Sequence, residues 1–111
     1  MKKKILIIGF GSIGKRHAAI LSKFKKVGKI FILTRQKIYN YTNIKTLQET
    51  KLIDPDYILI CSKTSDHYKH LKFIDKNFKN KIILVEKPLF NKNRYLKIKN
   101  NKVCSKFRNF S

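Results

Sequence analysis

At 111 residues the chain is long enough for one domain with a real core and too short for two. Apolar residues make up 42%, a globular rather than a disordered composition. No apolar run approaches the roughly 20 residues that a membrane-spanning helix needs. The net charge of +21 has the sign of a nucleic-acid binder, yet only four of the 27 basic residues are arginines: Arg16, Arg35, Arg94 and Arg108. Base and phosphate readers favour arginine for its planar, bidentate fork. Here the lysines are spread along the whole chain among abundant Ile, Asn, Phe and Tyr, a mixture that AT-rich coding yields, and they read as solvated surface charge. The start, Met1 to Lys4, leads into an apolar run too short for a secretory signal, with no cleavage site after it, so the chain reads as cytoplasmic and unprocessed. Cys61 and Cys104 are far apart and outside any C-x-x-C, which indicates neither a disulfide framework nor a metal site.

The first predicted strand, Lys4–Ile8, runs straight into Gly9-x-Gly11-x-x-Gly14. A helix follows over Ser12–Lys26, with Ser12 as its N-cap and an apolar face of Ile13, His17, Ile20, Leu21 and Phe24. This strand–turn–helix order is the setting in which such glycines bind a dinucleotide pyrophosphate. Gly9 allows the tight turn, Gly11 lets the backbone approach the phosphates, and Gly14 lets the helix pack closely. The free N–H groups of the first helical turn, those of Ser12 and Ile13 among them, face the anion.

Val27-Gly28 reads as the helix stop, and Ile30–Leu33 as the second strand. A short edge strand near Tyr39–Thr42 and a short helix over Thr46–Leu52 come next. Asp54-Pro55-Asp56 is a turn, because proline disfavours helix at the residue before it. Tyr57–Cys61 is the clearest central strand. Ser62–Ser65 forms a loop leading to a helix from Asp66 to Phe78, and Lys81–Val85 is the next strand, closing on Glu86-Lys87-Pro88. From Leu89 onward the pattern fades, and Lys102–Ser111 shows neither alternation nor a helical face. The repeated strand-then-helix order predicts a Rossmann-like, doubly wound α/β domain with a mostly parallel sheet of about five strands. That domain spans 1–90, and a Lys/Asn-rich tail spans 91–111.

Three signatures stand at predicted strand ends: GFGSIGKRH at Gly9–His17, CSKTSDHYKHL at Cys61–Leu71 and VEKPLF at Val85–Phe90. Together they resemble the nucleotide-binding domain of the glucose–fructose oxidoreductase, inositol dehydrogenase and rhizopine-catabolism (Gfo/Idh/MocA) family. The resemblance covers about Lys3 to Phe90. It implies binding of NAD or NADP and hydride transfer to or from a sugar or polyol. It also implies cofactor contacts from Cys61, Ser62 and Thr64, where Lys63 replaces the family's proline, and from His67. The resemblance further assigns Lys87 to the nicotinamide and the reacting hydroxyl, and Glu86, the neighbouring cofactor-site candidate, is placed to orient its ammonium. Such a lysine can stabilise a developing alkoxide.

Where NAD users place Asp or Glu after the second strand, this chain has Thr34-Arg35, and no acidic residue occurs between Gly14 and Glu49. Arg35 suits a 2′-phosphate, which tilts the cofactor toward NADP. His67 and His70 stand three apart with no third ligand, so no metal site is expected. His70 falls mid-helix, facing sheet or solvent. The family's second, substrate-binding domain has no counterpart in these residues. The sequence leaves three readings open: a truncated or split oxidoreductase, whose missing half comes from another chain or whose activity is lost, a stand-alone NAD(P)-binding module, and, least favoured, a small nucleic-acid binder. It fixes no substrate and no oligomeric state.

Overall fold

The computed structural model describes residues 2–85 and 101–104. In chain order these form β1 (Lys3–Ile8), α1 (Ser12–Leu21), β2 (Val27–Leu33), β3 (Thr42–Ile44), β4 (Tyr57–Ile60), α2 (Thr64–Asn77), β5 (Ile82–Val85) and β6 (Lys102–Cys104), with a short 3-10 turn at Gln48–Leu52. Every strand pair is parallel, in the order β3-β2-β1-β4-β5-β6. This is the doubly wound form that the strand–helix alternation predicts, with six strands where about five are expected.

The apolar runs explain the layering. In a parallel sheet covered on both faces, successive residues of one strand bury to opposite sides. Leu6 and Ile8 of β1 join Ile58 and Ile60 of β4 and Ile83 and Val85 of β5 on one face, under Leu71 and Ile74 of α2 and Phe78 just after it. Ile5 and Ile7 join Ile30, Ile32 and Leu59 on the other, under Ala18 and Leu21 of α1. The crossover β1–α1–β2 moves one way across the sheet, and β4–α2–β5 moves the other. With both crossovers right-handed, the helices must fall on opposite faces.

The local departures from the sequence reading have physical causes. Gly11, not Ser12, is the N-cap of α1, and it supplies no side-chain cap. The buried face of α1 is Gly14, His17, Ala18 and Leu21, while Ile13 and Ile20 lie outside it, 48% and 44% exposed. The helix stops at Leu21, five residues early. There the Ser22 hydroxyl donates to the Ala19 carbonyl (2.8 Å), and two tight turns return the chain to the sheet, through Phe24 N–H to Leu21 O and Val27 N–H to Phe24 O (both 3.1 Å). Val27-Gly28 therefore opens β2, paired to Lys3, instead of ending a helix. The edge strand is set by Ile44, which is buried in the α2-side core, and not by Tyr39, which is exposed. The stretch read as tail contributes β6, which pairs with β5 from Ile82↔Lys102 to Leu84↔Cys104.

Candidate functional site: the crevice at the carboxyl edge of the sheet

Strand order reverses between β1 and β4, and there the two helices leave the sheet in opposite directions. In open α/β sheets such a switch point opens a crevice beyond the strand ends. The end of β1 is clasped from both sides, by Gly9 N–H to Leu33 O (2.9 Å) and by Cys61 N–H to Ile8 O (2.8 Å).

The glycine turn has three distinct requirements. Gly9 has φ +99°, a region open to glycine and strained for L side chains. A Cβ there would also meet the backbone of Cys61 and Ser62 at 2.8–2.9 Å. A Cβ on Gly14 would collide with the Gly9 carbonyl, so the first turn of α1 can sit against the β1 turn only without one. At Gly11 a Cβ would meet nothing within 4 Å. That glycine borders open space, immediately beside the first N–H groups of a helix with no acidic residue in its first turn. Uncapped N–H groups with open space before them suit an anion. Phe10, between the first two glycines, packs edge-on to Tyr41 with ring centroids 6.2 Å apart, and its carbonyl accepts from Gln36 Nε2 (3.0 Å). The turn is thereby tied to the segment after β2.

The β4–α2 loop forms the opposite wall. His67 is buried, and its Nε2 lies 2.8 Å from the Ser62 carbonyl oxygen. His70, one turn on, places Nδ1 2.7 Å from Ser62 Oγ. Spacing of i, i+3 puts both rings on one side of α2. They hold the loop by its backbone and by its side chain. Lys63, where the resembled family has proline, has φ −59° and ψ 144°, the backbone a proline would adopt.

Between these walls lies a crevice of ≈ 360 Å³. Gly9, Thr34, Arg35 and Ser62 line it, with Lys45, Lys69 and His70. No carboxylate is among its lining residues. Burial pushes the His70 pKa below its ordinary value, opposed by Asp66 and reinforced by Lys69 and His67.

The sequence-predicted residues thus divide by place. Gly9, Gly11, Ser12, Ile13 and Gly14 make the turn and helix start, and Thr34 and Arg35 follow β2. Cys61 and Ser62 follow β4, Thr64 opens α2, and His67 sits behind the loop. Glu86 and Lys87 lie outside the described residues. Sequence reasoning did not place Lys45 or Lys69 at the site. His70, expected to face sheet or solvent, is half-buried against Ser62 just beyond the end of β4, and the His67-x-x-His70 spacing was the available signal. Among the described residues no three His, Cys, Asp or Glu side chains group as metal ligands, and no helix is long and apolar enough to cross a membrane.

A parallel, doubly wound sheet with this turn at its switch point defines a nucleotide-binding Rossmann domain. The profile of the Gfo/Idh/MocA oxidoreductase family, described by its NAD-binding Rossmann fold, matches residues 3–102, and the chain belongs to that family. Solved structures agree on the fold. Myo-inositol 2-dehydrogenase from Lactobacillus plantarum superposes with a TM-score of 0.71 at 21% identity, over 84% of this chain and 30% of that one. Scyllo-inositol dehydrogenase from Lactobacillus casei, solved with NAD(H) and scyllo-inositol, gives 0.65 at 20% identity, over 81% and 29%. The WlbA dehydrogenase from Chromobacterium violaceum, in complex with NADH and UDP-GlcNAcA, gives 0.69 at 14% identity, over 82% and 29%. The chain therefore spans under a third of each of these relatives. No curated protein sequence gives a significant match.

Proposed function

We propose that the chain is the cofactor-binding part of an oxidoreductase that moves hydride to or from a sugar or polyol. A nicotinamide dinucleotide lies across the switch point, with its pyrophosphate over Gly11 and the N–H groups of Ser12 and Ile13. Its adenosine ribose sits by Thr34 and Arg35, with Arg35 tilting the choice toward NADP. Its nicotinamide end runs along Cys61, Ser62 and Thr64. His67 acts at one remove, by holding Ser62. Bound there, the dinucleotide supplies the hydride chemistry. Lys87, oriented by Glu86, contributes positive charge at the reacting hydroxyl. The other wall of the substrate site comes from a second domain or a separate chain, and the protein works in the cytoplasm.

The observation that carries this reading is the contrast among the three glycines. Two are required by the fold itself, but Gly11 borders open space at an uncapped helix start. It serves what binds there. Its φ of −78° is open to any residue, so Gly11→Val fills the space without straining the backbone. Calorimetry should show binding of NADP(H) or NAD(H) by the wild type and none by Gly11→Val, with unchanged thermal unfolding. Equal affinity in the two proteins would remove the assignment.

A further inference from the structure

The crevice beside β2 carries more positive charge than a pyrophosphate requires, since the glycine turn and the α1 N-terminus already serve that group. Arg35 follows β2, Lys45 follows β3, and Lys69 stands on α2, yet all three line one cavity. Hydroxyl groups of Thr34, Thr46 and Ser62 and the His70 ring share it. Glu49 is close by, but its carboxylate already accepts from the Thr46 hydroxyl (3.3 Å) and the Lys45 N–H (3.5 Å) and does not line the cavity. In the neutral ring in which His70 Nδ1 accepts the Ser62 hydroxyl, Nε2 is an N–H donor.

Three cations, several hydroxyls and no carboxylate at the end of β2 suit a dianion attached to the ribose. A diol would need an acceptor there. A phosphomonoester carries about −1.5 to −2 charges at neutral pH, more than one guanidinium neutralises. Lysines can supply the remainder as point charges from the flanking elements.

We infer that Lys45 and Lys69, with Arg35, form a basin for a phosphate on the adenosine ribose, so that preference for NADP(H) is shared among three elements. The inference rests on the dinucleotide reading above and adds the residues that set its choice. Because all three side chains reach solvent, their effect is screened and falls with salt. Each lysine is worth roughly three- to tenfold in affinity, the range of a modest charged contact.

The test is calorimetry on the full chain with NADP⁺, NAD⁺, 2′,5′-ADP and 3′,5′-ADP at low and moderate salt. The wild type should prefer NADP⁺ to NAD⁺ and 2′,5′-ADP to 3′,5′-ADP. Arg35→Asp and the double variant Lys45→Glu/Lys69→Glu should each weaken NADP⁺ by about tenfold or more while leaving NAD⁺ within about twofold. Lys25→Glu, in the turn after α1, should change neither. All the altered side chains are exposed, so circular dichroism should match the wild type. Equal loss of NAD⁺ and NADP⁺ in the double variant, or NADP⁺ affinity unchanged in it, would overturn the basin. So would stronger binding of 3′,5′-ADP. Binding of NAD⁺ and NADP⁺ with equal affinity, lost in Gly11→Val, would overturn the basin and leave the dinucleotide reading standing. No binding of any of the four would overturn both.

Discussion

Burial of His70 makes one residue answerable for a distinct acid sensitivity. Desolvation is the largest influence on it and pushes its pKa down. Asp66 opposes that shift, while Lys69 and His67 add to it. Between the depressed folded value and the ordinary value of about 6.5, the unfolded chain binds more protons than the folded one. Stability therefore rises with pH across this window. The contribution is complete above about pH 6.5 and declines as the pH falls toward the folded value. Asp54, held below the ordinary carboxylate range by its bond and ion pair with Lys81, acts in a separate window. Its contribution is lost only as the pH falls through its folded value, below about 3.9. Urea midpoints measured from pH 7.5 down to about 5 should decline in the wild type and decline less in His70→Gln. Parallel slopes in the two proteins would show that His70 is not the source. The sequence could place His67 and His70 on one helix. It could not show that both turn toward Ser62, because that depends on where β4 ends against α2.

Among the elements, β6 is entered through a side-chain clasp. Asn101 accepts from the Lys81 N–H through Oδ1 (2.8 Å), and through Nδ2 it donates to Asp75 Oδ1 (3.1 Å) and the Phe78 carbonyl (2.8 Å). It fastens the approach to β6 onto the end of α2 and the start of β5. Asn101→Ala should cost about 2–3 kcal/mol, the net value of a few hydrogen bonds with one to a carboxylate. The loss should be local. Amide exchange should quicken in β5 and β6 much more than in β1 and β2, since edge elements open independently of the core. Uniform acceleration across the sheet, or none, would refute this role. Its dependence on a side-chain clasp also explains why β6 was illegible. Lys102-Val103-Cys104 has no alternation to read, and its partners are about 20 residues or more away. By contrast β1, β4 and β5 were legible because burial on both faces writes a continuous apolar run. Helix α1 was legible at its start, where the glycines stand. Its end was not, because Ser22 bonds back to Ala19 and Phe24 turns toward the core. Ile13 and Ile20 misled for the same reason as many surface apolar residues, since helical spacing alone does not say which face is covered.

For the whole molecule, the question is whether a well-formed cofactor crevice amounts to an enzyme. Hydride transfer needs the substrate carbon held in near-attack contact with the nicotinamide, by groups on both sides of it. It also needs a proton acceptor within hydrogen-bond reach of the hydroxyl. The described residues build one side, a basic crevice open to water at the sheet's carboxyl edge. Any charge offered to a hydroxyl from that side alone is weakened where water screens it. The solved relatives, of which this chain covers under a third, devote more than two thirds of their length to other structure. The 111-residue chain should therefore bind a nicotinamide dinucleotide yet show no inositol- or sugar-dependent change in NAD(P)H absorbance. Turnover should appear only when a second domain is supplied by fusion or as a partner chain, and Lys87→Ala should then abolish it while cofactor affinity changes little. Robust polyol-dependent reduction of NAD(P)⁺ by the 111-residue chain alone, lost in Lys87→Ala, would contradict this and make one wall of the crevice sufficient for catalysis.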